Sequence, residues 1–324
     1  MVSVVLAQLE TYGPEHCRAT TYEQADAYTQ RLARSHYENF SVLSRFVPRR
    51  LRDDFAHVYA FCRWADDLGD ETGDRARSLE LLGWWRRELA DCYAGRPRHP
   101  VFVALSQTID RHEIPAGPFE DLIAAFEQDQ RLTRYETWDQ VLDYCTRSAD
   151  PVGRLVLYLC DYRDEARQRL SDATCTALQL ANFWQDVRRD IVERDRIYVP
   201  AEALGEQGLT HDDLVGHVRG EAGLSAAQHG AYRAVVRAMV ERTRPLFATG
   251  RGLWPRLRGE VRTPIQLFTL GGETILRMIE RSDYSTLDRR VSLSRGAKVW
   301  LMMRAVAGRV WHRGGRNGQA DDAS

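Results

Sequence analysis

Apolar residues recur at three- and four-residue spacing along most of this chain, and strict alternation bounded by turn residues is scarce. That pattern predicts an all-α protein. Its helices are expected near 22–35, 49–71, 78–93, 101–112, 118–129, 138–148, 151–160, 164–192, 223–248, 264–281 and 293–311. Pro48 and Pro264 stand where helices open, which suits a residue without a backbone N–H. The polar, Gly-rich stretch from Ala201 to Gly223 carries only a weak helical pattern and is expected to be a surface excursion, not a domain boundary. The organisation predicted is an N-terminal segment 1–20, one domain over 21–312 and a small, polar tail 313–324 that frays.

Two of the predicted helices carry polar lines beside their apolar seams. In the first, Leu51, Phe55, Val58, Cys62 and Ala65 form a core-facing stripe. Tyr59, Arg63, Asp66 and Asp70 follow at intervals of four, three and four, so they share another face, with Asp67 beside them. Two carboxylates one turn apart repel each other and are poor for stability alone. Mg²⁺ removes the conflict, because it takes oxygen ligands and bridges carboxylates to phosphate oxygens.

In the second helix, ALQLANFWQDVRRD, Gln179, Asn182, Asp186 and Asp190 again lie on one line. Leu178, Phe183, Trp184 and Val187 flank it. Polar groups in an apolar helix are expected to find partners inside the protein, and a cavity shared by the two aspartate helices provides them. Facing aspartate pairs could then hold metal ions with coordination positions left for a diphosphate. Arg188, Arg189 and Arg196 are expected to cluster near the mouth of that cavity.

Composition narrows the partners. Among 324 residues, 45 basic and 46 acidic side chains leave a net charge of −1, which argues against nucleic acid held by bulk electrostatics. Of the basic residues only Lys298 is a lysine, so arginine placement alone says little. The six cysteines lack zinc-type spacing and read as buried thiols in a reducing compartment. The opening MVSVVLAQLE lacks the layout of a secretory signal, and no stretch approaches the ~20 apolar residues of a membrane span. A cytoplasmic protein is expected. Between Val291 and Arg313, apolar residues alternate with Arg295, Lys298, Arg304 and Arg309, a basic amphipathic pattern that suits either packing against the helical bundle, the commoner use, or peripheral contact with the inner face of the membrane.

YAFCRWADDLGDE, from Tyr59 to Glu71, and QLANFWQDVRRDIVERDRIYVP, from Gln179 to Pro200, closely resemble the two aspartate-rich helices of the squalene and phytoene synthase family, with similarity over about residues 20–310. YENFSVLSRFVPRRLR (Tyr37 to Arg52) and YCTRSADPVGRLVL (Tyr144 to Leu157) look like its bacterial hydroxysqualene synthase branch, HpnC, of squalene and hopanoid biosynthesis. Ser41 and Asp150 depart from that branch, where Pro and Asn are commoner.

The resemblance implies the single-domain all-α isoprenoid synthase fold, a helical bundle around a central cavity. It implies several Mg²⁺ ions held by Asp66, Asp70, Asp186 and Asp190, with Asp67 secondary. Tyr59 and Arg63 correspond to cavity positions, and Gln179, Asn182, Arg189 and Arg196 to the substrate side. Thr146, Arg147 and Ser148 replace an aromatic run followed by V-A-G in condensing members. The expected reaction is therefore ionisation of presqualene diphosphate and water capture to hydroxysqualene, without NADPH, coupled functionally to other squalene-pathway enzymes. The alternatives are a synthase condensing farnesyl or geranylgeranyl diphosphate, a non-catalytic assembly-factor relative, and a helical scaffold whose acidic faces bind a protein.

Overall fold

A computed structural model describes residues 4–35 and 48–289. Within them the chain is helical throughout, with two isolated β-bridges in place of any strand. The helices are α1 (Leu9–Tyr12), α2 (Tyr22–Ser35), α3 (Arg52–Asp70), α4 (Arg75–Tyr93), α5 (Pro100–His112), α6 (Gly117–Asp129) and α7 (Trp138–Ser148). They continue as α8 (Asp150–Leu159), α9 (Glu165–Arg194), α10 (Ala201–Gly205), α11 (His211–Arg219), α12 (Ala226–Gly250) and α13 (Gly259–Arg281). The helix expected over 293–311 lies outside the described residues.

Local chemistry sets several of these boundaries. Asp74 caps α4 by accepting from the amides of Ala76 and Arg77, and Ser225 with Gln228 forms a capping box at the start of α12. Pro48 sits just before a 3₁₀ turn, Arg49–Leu51, that leads into α3. Pro264 does not open its helix as expected. α13 starts at Gly259, and the proline falls in its second turn, where its missing N–H removes one early hydrogen bond.

The helices gather around two apolar clusters. In the first, α3 packs on α4, α5 and α6, with Trp64 stacked on Trp85 at 5.3 Å and 10°. In the second, α9 packs against α12 and α13, and Phe183 stacks on Tyr198 at 3.7 Å and 9°. Helix α8 touches both α3 and α9 and bridges the halves. Gly153 makes that approach possible, since a Cβ there would lie 2.3 Å from Ser171 Oγ and 2.5 Å from Cys175 Sγ.

The stretch 201–223 corrects the expectation of a polar excursion. It forms α10 and α11, and Leu204, Leu209, Leu214 and Val218 are buried in the second cluster. On α3, Leu51, Phe55, Val58 and Ala65 are buried as the stripe predicted, while Cys62 is only partly covered. The same helix also buries Asp54 and His57. Asp54 accepts from Thr108, Arg111 and His112, and His57 bridges Thr108 and Asp26, a polar network that fastens α2, α3 and α5 together. All six cysteines are free thiols. No helix among the described residues is long and apolar enough to cross a membrane.

Candidate active site

The last two turns of α3 present the first aspartates. Gly69 lies against the Phe126 ring, and its carbonyl accepts from Ser78 Oγ at 2.9 Å and Gln130 Nε2 at 3.0 Å, which fixes the end of the helix and hence Asp70. Asp66 remains partly open to solvent. Asp67 turns fully inward and pairs with Arg63, which also reaches Asp66 Oδ2 at 3.2 Å. Tyr59 is half-buried one turn before Arg63, and burial raises its hydroxyl above the ordinary phenol range.

The opposing aspartates, Asp186 and Asp190, lie near the C-terminal end of α9. Asp195 caps that helix in the left-handed conformation, φ 52°, with its amide bonded to Asp190 O. Arg134 and Arg219 each bond Asp195 Oδ1 at 2.9 Å, so ion pairs hold a non-glycine residue in this turn. The turn sends Arg196 and Tyr198 back beneath the end of α3.

Two arginines join the aspartate helices. Arg194 contacts Asp70 Oδ2 at 3.1 Å and Asp190 Oδ1 at 3.5 Å. Arg196 contacts Asp70 Oδ1 at 2.9 Å and Asp129 Oδ2 at 3.3 Å. Asp129, at the end of α6, also accepts from Tyr144 Oη at 2.8 Å and Tyr198 Oη at 3.5 Å. The sequence reading missed Asp129, Arg194, Tyr144 and Tyr198. The RIYVP run after α9 was the one signal that could have drawn attention to Tyr198.

Three placements differ from expectation. Arg196 is not at the mouth but buried, with its guanidinium engaged by two carboxylates, so in this state it positions Asp70 instead of facing a substrate. Arg189 is partly exposed and pairs with Glu193 at 2.7 Å, while its nearest approach to Asp186 is 3.9 Å. The polar line on α9 is also less enclosed than expected: Gln179 is half-buried and Asn182 is exposed. Asn182 is therefore solvated, and Gln179 is partly so. Thr146 and Arg147 bond Asp143 at the surface of α7, so the hydroxyl this helix sends inward is Tyr144's.

Electrostatics describe a site short of positive charge. Burial and the charge of Asp70 push Asp66 up to about 6. Burial pushes Asp190 up to about 7, with Asp186 adding repulsion and Arg194 opposing it. Burial raises Asp129 likewise to about 7 despite Arg196. For Arg196 burial opposes the charge, but Asp129 and Asp70 overcome it and hold the guanidinium firmly protonated. Asp66 and Asp70 repel each other, as do Asp186 and Asp190, and Arg194 spans the two pairs; such hard oxygen donors are of the kind that Mg²⁺ takes.

Below the aspartates lies a chamber of about 270 Å³, walled by Phe55 of α3, Val156 of α8, Cys175 and Leu178 of α9, Leu253 of the 3₁₀ turn Arg251–Arg256 and Phe268 of α13. Its lining is mostly apolar; Ser171, Thr174 and Glu260 are the polar residues in it, and Glu260 pairs with Arg50 at 2.9 Å. Phe55 precedes Asp66 by three turns of helix, so charged mouth and dry floor are roughly 16 Å apart along α3.

Residues 33–297 match the family described as squalene/phytoene synthase. The chain is 32% identical over 261 residues to a hydroxysqualene synthase of Rhodopseudomonas palustris, covering 79% of this chain and 83% of that one. It is 27% identical over 301 residues to a phytoene synthase of Arthrospira platensis, covering 88% and 94%. The crystal structure of squalene synthase HpnC from Alicyclobacillus acidocaldarius is 44% identical, with a TM-score of 0.73 over 81% of this chain and 95% of that one. The helical architecture is accordingly the isoprenoid synthase fold, and the chain, an enzyme, belongs to the squalene/phytoene synthase family.

Proposed function

We propose that the enzyme converts presqualene diphosphate and water into hydroxysqualene and diphosphate. The observation that carries this reading is the pairing of an aspartate-lined mouth with an apolar chamber about three helical turns away along α3. A diphosphate with a long hydrocarbon tail is the class of substrate that needs both ends. Its tail would lie between α3, α8, α9 and α13, and its head group at the carboxylates.

Asp66, Asp70, Asp186 and Asp190 would hold Mg²⁺, which when bound supplies the positive charge that a departing diphosphate requires. Asp70 is kept in place for that task by Arg194 and Arg196, and Arg63 orients Asp66 and Asp67. Ionisation breaks the carbon–oxygen bond, and its electron pair leaves with the diphosphate. The resulting cyclopropylcarbinyl cation rearranges against mostly apolar walls whose Cys160 and Cys175 are kept as neutral thiols by burial, so capture falls to water entering from the polar end. Water adds to carbon and loses a proton, and no reductant is consumed. Support for this branch over others comes from the similarity to hydroxysqualene synthase and to HpnC. Surface attachment through the basic segment 291–313 would let a hydrocarbon product pass directly into a bilayer.

Condensation of two allylic diphosphates is a second reading. It is favoured by the match to a phytoene synthase over most of the chain and by the inward hydroxyl of Tyr144. Mass spectrometry of products from purified protein given presqualene diphosphate and Mg²⁺, with farnesyl diphosphate in parallel, separates the two. Hydroxysqualene from the first substrate alone is expected; consumption of farnesyl diphosphate would assign condensation instead.

A further inference from the structure

Away from the aspartates, three segments distant in sequence bring two imidazoles and a carboxylate together. His217 lies in the last turn of α11, His229 at the end of the first turn of α12, and Asp288 in the segment after α13. His217 Nε2 is 3.0 Å from Asp288 Oδ1, and His229 Nδ1 is 3.8 Å from Asp288 Oδ2. One ligating atom from each residue lies within 4.8 Å of the other two. The imidazoles stand edge to face, with centroids 5.0 Å apart.

Neighbouring contacts hold each part of this cluster. Ser285 Oγ donates to Asp288 Oδ2 at 2.9 Å and orients the carboxylate. Thr286 and Leu287 are fully buried, and Thr286 shares a 2.8 Å hydrogen bond with the Tyr232 hydroxyl of α12. The capping box of Ser225 and Gln228 fixes the turn that carries His229. The nearby cation Arg233 is paired with Asp283. All three side chains keep some solvent exposure, so an ion can enter.

We infer that His217, His229 and Asp288 form a binding site for a borderline transition-metal cation of the Zn²⁺ type, completed by water. Imidazole with carboxylate is a donor set for zinc, whereas the oxygen-only aspartate pairs suit Mg²⁺, so the two sites select different ions. Zinc bonds nitrogen at about 2.0–2.1 Å, which places tetrahedral ligands about 3.3 Å apart. Small rotations of the imidazoles close the present gap. His217 Nδ1 accepts a long bond from the Leu224 amide at 3.4 Å, leaving the ring proton on Nε2 toward Asp288. Coordination through Nε2 moves that proton to Nδ1 at the expense of the weak Leu224 contact. The held segment also matters to the aspartate helix, since the Leu287 carbonyl accepts from Arg188 of α9 at 3.4 Å.

The test uses untagged full-length protein stripped with EDTA and kept in excess Mg²⁺ so that oxygen sites are occupied. Titration with Co²⁺ is expected to give one visible-absorbing ion per chain. Zn²⁺ at a hundredfold excess over its Kd is expected to raise Tm by about 5 °C. Loss of an outer partner alone weakens metal sites by about 10–100-fold. His217→Ala and His229→Gln, each first shown to melt cooperatively in EDTA, are therefore expected to weaken Co²⁺ binding by at least about tenfold. No Co²⁺ uptake by the parent protein, or uptake unchanged in both variants, would overturn the site and leave a hydrogen-bonded His–Asp clasp.

Discussion

Arg196 lies beyond the end of α9, yet its guanidinium reaches Asp70 Oδ1 at 2.9 Å, 126 residues away in the chain. The same side chain contacts Asp129, so one buried cation balances two buried carboxylates. Removing it would leave Asp129 without its arginine and Asp70 with Arg194 alone. Arg196→Ala is expected to cost about 3–5 kcal/mol in urea unfolding. Arg196→Lys should recover only part of this, because an ammonium cannot present two diverging N–H groups in the same fork.

Asp66→Asn and Asp186→Asn should each abolish turnover while the helical circular dichroism spectrum is unchanged. Both side chains are at least partly solvent-facing, so neither substitution strands a buried partner. Near-normal Mg²⁺-dependent product formation in both variants would refute the assignment of the aspartate pairs.

Asp190 and Asp129 titrate near 7 in the folded chain, well above the ordinary carboxylate value of 3.8. Between those limits the folded state binds more protons than the unfolded one, so stability falls as pH rises from about 4 through 7. Tm of the ligand-free protein should decline across that window, and Asp190→Asn should flatten the decline. Mg²⁺ with pyrophosphate binds the deprotonated site, so its stabilisation measured by thermal shift should be larger at pH 8 than at pH 6. An equal shift at both values would contradict the expected linkage.

Asp150 carries a separate, isolated burden. It is buried at the start of α8, accepts from Thr176 Oγ1 at 2.7 Å, and burial pushes it up to about 7. Asp150→Asn keeps an acceptor for Thr176 and removes the charge. The variant's advantage should grow as pH rises from about 4 to 7 and level off near about 4 kcal/mol at pH 8, because the unfolded aspartate ionises near 3.8 while the folded one keeps its proton to about 7. Asparagine is also the residue expected here from the resemblance to the hydroxysqualene synthase branch.

Gly153→Ala should cost about 1–3 kcal/mol, because the new methyl meets Ser171 and Cys175 and forces α8 away from α9. Because Gly153 also lines the apolar chamber, KM for a long-tailed substrate should rise more than KM for a shorter one. A uniform fall in kcat without a chain-length effect would place the consequence in stability alone.

What was legible in the sequence was what repeats along one helix. Tyr59, Arg63, Asp66 and Asp70 share a face of α3 because their spacing follows the helical period, and the same rule lines up Asp186 and Asp190. Asp129, Tyr144, Arg194 and Arg196 obey no such rule: they meet because α6, α7 and the turn after α9 converge, a tertiary event with no local signature. The segment 201–223 was misread for a related reason. Leu204, Leu209, Leu214 and Val218 are spaced by five, five and four, since a turn separates α10 from α11, and that rhythm matches neither helix nor strand. His57 and Asp54 likewise look like surface polarity on paper, and become buried only because Thr108, His112 and Asp26 come from other helices to meet them.

The chamber also governs what happens after the chemistry. Its walls hold an uncharged chain as comfortably as a charged substrate's tail, so loss of the diphosphate removes the group anchored at the aspartates without loosening the hydrocarbon. An oily product gains nothing by entering water. The proposed enzyme thus has a built-in tendency to retain what it makes, and its turnover in dilute buffer would be set by how readily a bilayer, a micelle or the next enzyme draws the product out.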